Sequence, residues 1–229
     1  MTLKTDTFGY RAFDCDGSAR SNCSGRFRYM VDHKGLPVLE FSSREHWDAW
    51  LNEHAFSSFG VWLKFAKKSS GVSSVGKPES IETALAHGWI DSQLDGFDEQ
   101  YWLVRFTPRG AKSKWSRLNR DTAERLIAEG IMGARGLVEV EKAKNDGRWD
   151  AAYEPQSTAK IPEDFREALD NHPRAKAFFE TLKGANRYAI IYRIHDANTA
   201  KTRAARIEKF ISMLELGQTV HQPNNPDRK

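Results

Sequence analysis

Residues 101–107 read YWLVRFT, and this alternation constrains the fold more than any other stretch. Successive side chains of a strand point to opposite faces, so Trp102, Val104 and Phe106 share one face. Tyr101, Leu103, Arg105 and Thr107 share the other. A strand with one apolar face needs paired neighbours and a covering layer. The preceding GWIDSQ, 88–93, is a second strand candidate, and Asp95-Gly96 supplies a turn that joins the two as a hairpin. GVWLKFAKK, 60–68, gives a third strand, with Val61, Leu63 and Phe65 on one side.

Helical patterns surround these strands. Ser42 and Glu45 have the S-x-x-E spacing of a capping box, and Trp47, Trp50, Leu51 and His54 follow at one-face spacing. Pro78 suits the first turn of a helix that Gly88 ends, with Ile81, Ala84 and Leu85 inward. Asn119 is the expected cap of a helix that stops at Gly130, with Ala123, Leu126 and Ile127 inward. A further helix is expected from Ala134 to Asp146. Beyond Pro162 the period is helical throughout, with Phe165 and Leu169, then Ala177, Phe178 and Leu182, then Ile207, Phe210, Ile211 and Leu214 as apolar stripes.

The expected fold class is α+β: a small antiparallel sheet with helices, followed by an all-helical C-terminal region. The expected division is a disordered or non-native N-terminal extension at 1–37, an α+β domain at 38–148, a linker at 149–162, a helical region at 163–216 and a flexible tail at 217–229. With 229 residues, 39% hydrophobic, the chain has material for a sizeable core. No apolar run reaches the roughly 18 residues that span a bilayer. The N-terminus lacks the apolar segment of a secretory signal, so a cytoplasmic protein is expected. Cys15 and Cys23, both in the polar N-terminal stretch, are expected to be unpaired thiols.

The formal charge of +4 is mild, but its distribution is uneven. RFTPRGAKSKWSRLNR, 105–120, holds six Lys or Arg residues and no acid. Arginine offers a planar fork that matches phosphate or carboxylate, and lysine a point charge. A following helix N-terminus favours an anion. The expected anion-binding residues are Arg105, Arg109, Lys112, Ser113, Lys114, Ser116 and Asn119. Trp89, Asp91 and Trp115 are the expected pocket or stacking residues, with Trp115 facing a base or sugar. Asp91 is placed to pair with Arg105 or Arg109 across the hairpin, as a structural ion pair or as a general base.

The seven histidines form no metal-binding spacing, and the chain contains no Walker loop, Rossmann glycine set or nucleophile elbow. No metal and no cofactor are expected. The leading expectation is a non-enzymatic anion-binding protein whose partner is a phosphorylated small molecule, a nucleic acid or an acidic protein surface. One alternative is an enzyme acting on an anionic small molecule with Asp91 as base. The other is a nucleic-acid-binding or protein-interaction module.

GWIDSQ, RFTPR, SKWSRLNR, AERLIAEGIM, GLVEVEKAKNDGRWDAAY and TRAARIEKF together resemble the YdeI/OmpD-associated, or bacteriocin-protection, family from about Leu39 to about Leu216. The recurring motifs of that family take in Trp89, Asp91, Arg105, Thr107, Pro108, Arg109, Ser113, Trp115, Ser116 and Asn119. The resemblance implies a role in envelope stress or antimicrobial-peptide resistance, and the family name implies association with an outer-membrane porin. It implies no catalytic residues.

Overall fold

The structure, a computed structural model, describes residues 30–221. The first elements are β1 (Met30–His33), β2 (Leu36–Glu40), α1 (Arg44–His54), β3 (Val61–Ala66), α2 (Lys77–Ala86), β4 (Trp89–Gly96) and β5 (Tyr101–Pro108). Helices α3 (Arg117–Ala128) and α4 (Ala134–Asn145) follow. The remainder is α5 (Glu163–Asp170), α6 (Pro173–Thr181), α7 (Gly184–His195) and α8 (Ala200–Glu215). The fold class is α+β, as the alternating and helical patterns predict. The thiols Cys15 and Cys23 lie outside the described residues.

The strands form one sheet in the order β1-β2-β3-β5-β4. It is mixed, not purely antiparallel: β2 and β3 run parallel, with Val38 opposite Trp62, and the other pairings are antiparallel. The parallel pair follows from α1, which carries the chain back so that β3 starts in the direction of β2. Residues 30–37, expected to belong to an extension, form β1 and the start of β2. Their two-residue turn is Lys34-Gly35, both at positive φ (53° and 80°), a backbone that matches strand twist.

One face of the sheet carries the larger core of the first half. Val61, Leu63, Phe65, Val104 and Phe106 pack with Phe41, Trp47, Trp50 and Leu51. Trp47 is fully buried, and its indole N–H donates to the Ser80 carbonyl at 3.1 Å. Helix α1 starts after Ser43, one residue later than expected, and the Ser42 hydroxyl lies 2.9 Å from the His46 ring nitrogen instead of capping the helix. Ile127 lies partly exposed while Ala123 and Leu126 are buried.

The second core joins Phe165, Leu169, Phe179, Ile190, Ile194, Phe210 and Leu214. Helix α6 turns Ala175 and Phe179 inward, leaving the expected Phe178 at the edge and Ala177 exposed. The chain divides into two compact units. Among the described residues, 30–113 with Thr122–Asn145 form the first, and Lys114–Asp121 with 146–221 form the second. The 149–162 stretch belongs to the second unit: Trp149 is buried edge-on against Trp115 at 4.9 Å, and Tyr153 bridges Ser116 through the backbone.

Candidate anion-binding site

The boundary between the units falls between Ser113 and Lys114, inside the basic stretch. In the second unit the expected site residues serve packing and capping. Lys114 pairs with Asp196, which also lies 3.7 Å from Arg206. Partial burial works against its charge, but the Asp196 hydrogen bond holds the Lys114 pKa above its ordinary value. Arg117 pairs with Glu154 at 2.7 Å. Trp115 is 2% exposed, so its ring offers no platform for a base or sugar. Ser116, not Asn119, caps α3: its hydroxyl accepts the Asn119 N–H at 3.1 Å. Asn119 itself sits in the first turn.

In the first unit the Ser113 hydroxyl accepts the Gly110 N–H at 3.0 Å, with Lys112 exposed beside it. Arg109 is buried, and its backbone N–H donates to Gly88 at 2.9 Å. Trp89 is a core residue whose indole donates to Ala55 at 3.3 Å. Asp91 stands opposite Phe106 in register, on the face that bears the main core. Arg105 points to the other face, so the expected cross-hairpin pair of Asp91 and Arg105 does not form.

That other face gathers Arg105 and several residues from distant strands. Trp62 on β3 is directly opposite Arg105 on β5. Val38, Trp62 and Leu103 are buried there, with Leu36 and Phe97 against them. Lys64 is 6% exposed, lies 3.7 Å over the Tyr101 ring and reaches Glu40 at 3.3 Å. The Tyr101 hydroxyl donates to the same carboxylate at 3.2 Å. Asp95 is held by Lys34 at 2.5 Å and His33 at 2.9 Å. Both carboxylates on this face, Glu40 and Asp95, are therefore occupied by neighbouring donors.

Arg105 is left without a counter-charge among the described residues. Its Nε and the Trp62 Nε1 are buried donors with no hydrogen-bond acceptor. A buried donor left unsatisfied costs about 1–3 kcal/mol, which an acceptor from outside the fold recovers. Nothing in the sequence marks Trp62 as the neighbour of Arg105. That adjacency becomes legible only from the pairing of β3 with β5.

The hydrogen bond from Lys34, followed by that from His33, lowers the Asp95 pKa from 3.8 to about 2. A depressed carboxylate stabilises the fold above its unfolded pKa and loses that contribution as pH falls through the folded value. Acid unfolding of the wild type is thus expected to steepen between pH 3.8 and about 2. In Asp95→Asn that component should vanish, as followed by tryptophan fluorescence. An unchanged acid limb would show that Asp95 does not couple to folding.

Among the described residues no group of three or more His, Cys, Asp or Glu could hold a metal ion. No helix among them is long and apolar enough to cross a membrane.

Residues 39–139 match a family model described as a domain of unknown function, DUF8412. Residues 158–217 match the model described as Bacteriocin-protection, YdeI or OmpD-Associated. The C-terminal region carries a YdeI/OmpD-associated domain. This YdeI/OmpD-associated domain takes in α5 to α8 and the second core, and it contributes Asp196 and Arg206 to the Lys114 cluster. GWIDSQ, RFTPR and SKWSRLNR lie outside the YdeI/OmpD-associated match and within the other. No curated protein and no solved structure matches the chain.

Proposed function

We propose that the first unit binds a small ligand bearing a phosphate or carboxylate, on the sheet face that holds Arg105 and Trp62. One observation carries this reading: Arg105 has no counter-charge on a face whose carboxylates are already engaged, and it stands beside a second donor without an acceptor. The guanidinium supplies a donor fork that suits an oxyanion. Arg105 is only half-buried and is the group a ligand meets first, whereas Trp62 is 1% exposed, so its Nε1 serves as a neutral donor only to a ligand that enters beside Arg105; the Lys64 charge is already paired with Glu40. The chemistry is binding, with no nucleophile or acid-base pair assigned. A part in bacteriocin protection or envelope stress, and association with a porin, rest on the family description of the C-terminal domain.

The test is thermal unfolding of the full chain with inorganic phosphate, citrate and adenosine monophosphate. At least one should raise the wild-type Tm. A ligand at 100 times its Kd adds about 2.7 kcal/mol. Arg105→Gln should lose the shift, and Trp62→Phe, which keeps the ring and removes the N–H, should reduce it. No shift with any of the three, or an equal shift in Arg105→Gln, overturns the reading. Labelled single-stranded DNA across a salt series separates a nucleic-acid partner, since several phosphate contacts give a steep loss of affinity with salt.

A further inference from the structure

A groove of about 680 Å³ runs between α5 and α8 of the YdeI/OmpD-associated domain. Ala200, Ala204, Ile207 and Ile211 line one side at helical spacing, and Ala168 of α5 lines the other. The three alanines leave room that larger side chains of a partner can fill.

The rim is unevenly charged. Arg203 is consumed within the fold, donating from Nε and Nη2 to the two Asp164 oxygens at 2.5 and 2.8 Å and from Nη1 to the Ile194 carbonyl at 3.0 Å. Glu208 and Glu215 are exposed on the groove and pair with no described residue. They are seven positions apart, about two helical turns along the same side. Glu215 also ends α8, whose last turn has no basic residue, so its charge lies at the negative end of the helix dipole.

We propose that this groove receives an amphipathic helix of a partner protein, with apolar side chains on Ala204 and Ile207 above the buried Ile211 floor and Lys or Arg side chains against Glu208 and Glu215. Charge complementarity selects a basic helix. The span from Ala200 to Glu215 is about four turns, which suits a helix laid along the groove better than a small ligand.

The test titrates the full chain into a fluorescein-labelled helical peptide with leucines on one face and lysines flanking them. A counterpart carries glutamate in place of lysine. The basic peptide is expected to bind saturably and the acidic one not. The double variant Glu208→Lys/Glu215→Lys should bind at least tenfold more weakly. Ala204→Trp, which fills the groove and keeps its charge, should weaken binding to a similar degree. All three positions are exposed, and circular dichroism checks that the variants remain folded. Absence of saturable binding, equal binding of the two peptides, or full binding by Ala204→Trp would each overturn the proposal.

Discussion

Replacing Trp47 with alanine is expected to destabilise the first unit by about 3–5 kcal/mol, the range for truncating a large aromatic in a packed core. Trp47 is fully buried, and its ring stacks on Trp50 at 5.4 Å and meets Phe106 edge-on at 5.6 Å. It therefore ties α1 to β5, and truncation opens a cavity bordered by both. The Ser80 carbonyl also loses its indole donor. A whole domain is typically stable by only about 5–15 kcal/mol, so the variant should unfold at much lower denaturant. Urea unfolding followed by the remaining tryptophans measures this. A midpoint within error of the wild type would mean that Trp47 does not organise this core.

The second large effect belongs to Gly136, on the first turn of α4. An added Cβ would fall 2.4 Å from the Ala86 carbonyl oxygen and 2.5 Å from the Met132 sulfur. Two effects oppose each other in Gly136→Ala. Alanine is favoured over glycine within a helix by about 1 kcal/mol. Overpacking costs about 1–3 kcal/mol, and here the obstacle includes backbone, which cannot rotate away. The steric term wins, and a net loss of stability is expected. Gly130→Ala is the control. Its φ of 69° imposes conformational strain, but no atom lies within 4 Å of its Cβ position. Thermal unfolding of both variants decides the matter, and a stabilised Gly136→Ala would contradict the close approach of α4 to Ala86.

Much of the local structure was readable because its signals are short-range. Trp47, Trp50 and Leu51 share a helix face in sequence and in the fold, as Val61, Leu63 and Phe65 share a strand face. Gly88 ends α2 and Gly130 ends α3 at positive φ, as their placement suggests. The pair β1 and β2 is not legible in sequence because Pro37 and the polar residues around the Lys34-Gly35 turn interrupt the alternation. The phase of α6 is ambiguous in sequence because Phe178 and Phe179 are adjacent, and only packing selects the second.

The basic stretch shows the limit most clearly. It contains no acid, so it reads as an unscreened positive surface. Yet the carboxylates for Lys114 and Arg117 come from Asp196 and Glu154, far along the chain. Conversely, the side chains of Arg105 and Trp62 are neighbours only because β5 lies beside β3. Long-range pairing decides which charges are neutralised, and no local window contains that information.

The second unit is discontinuous, since Lys114–Asp121 precede an excursion of the chain to Asn145. Trp115 is synthesised well before Trp149 and Tyr153, its neighbours in the folded unit. A cut at the seam expected near residue 148 would therefore separate one domain from part of itself. The polypeptide must close a long loop before this corner can assemble, and loop closure of that kind costs entropy that only later contacts return. The second unit is therefore larger than the contiguous stretch 158–217 that matches the family model, because one strip of it, Lys114–Asp121, is encoded upstream of α4.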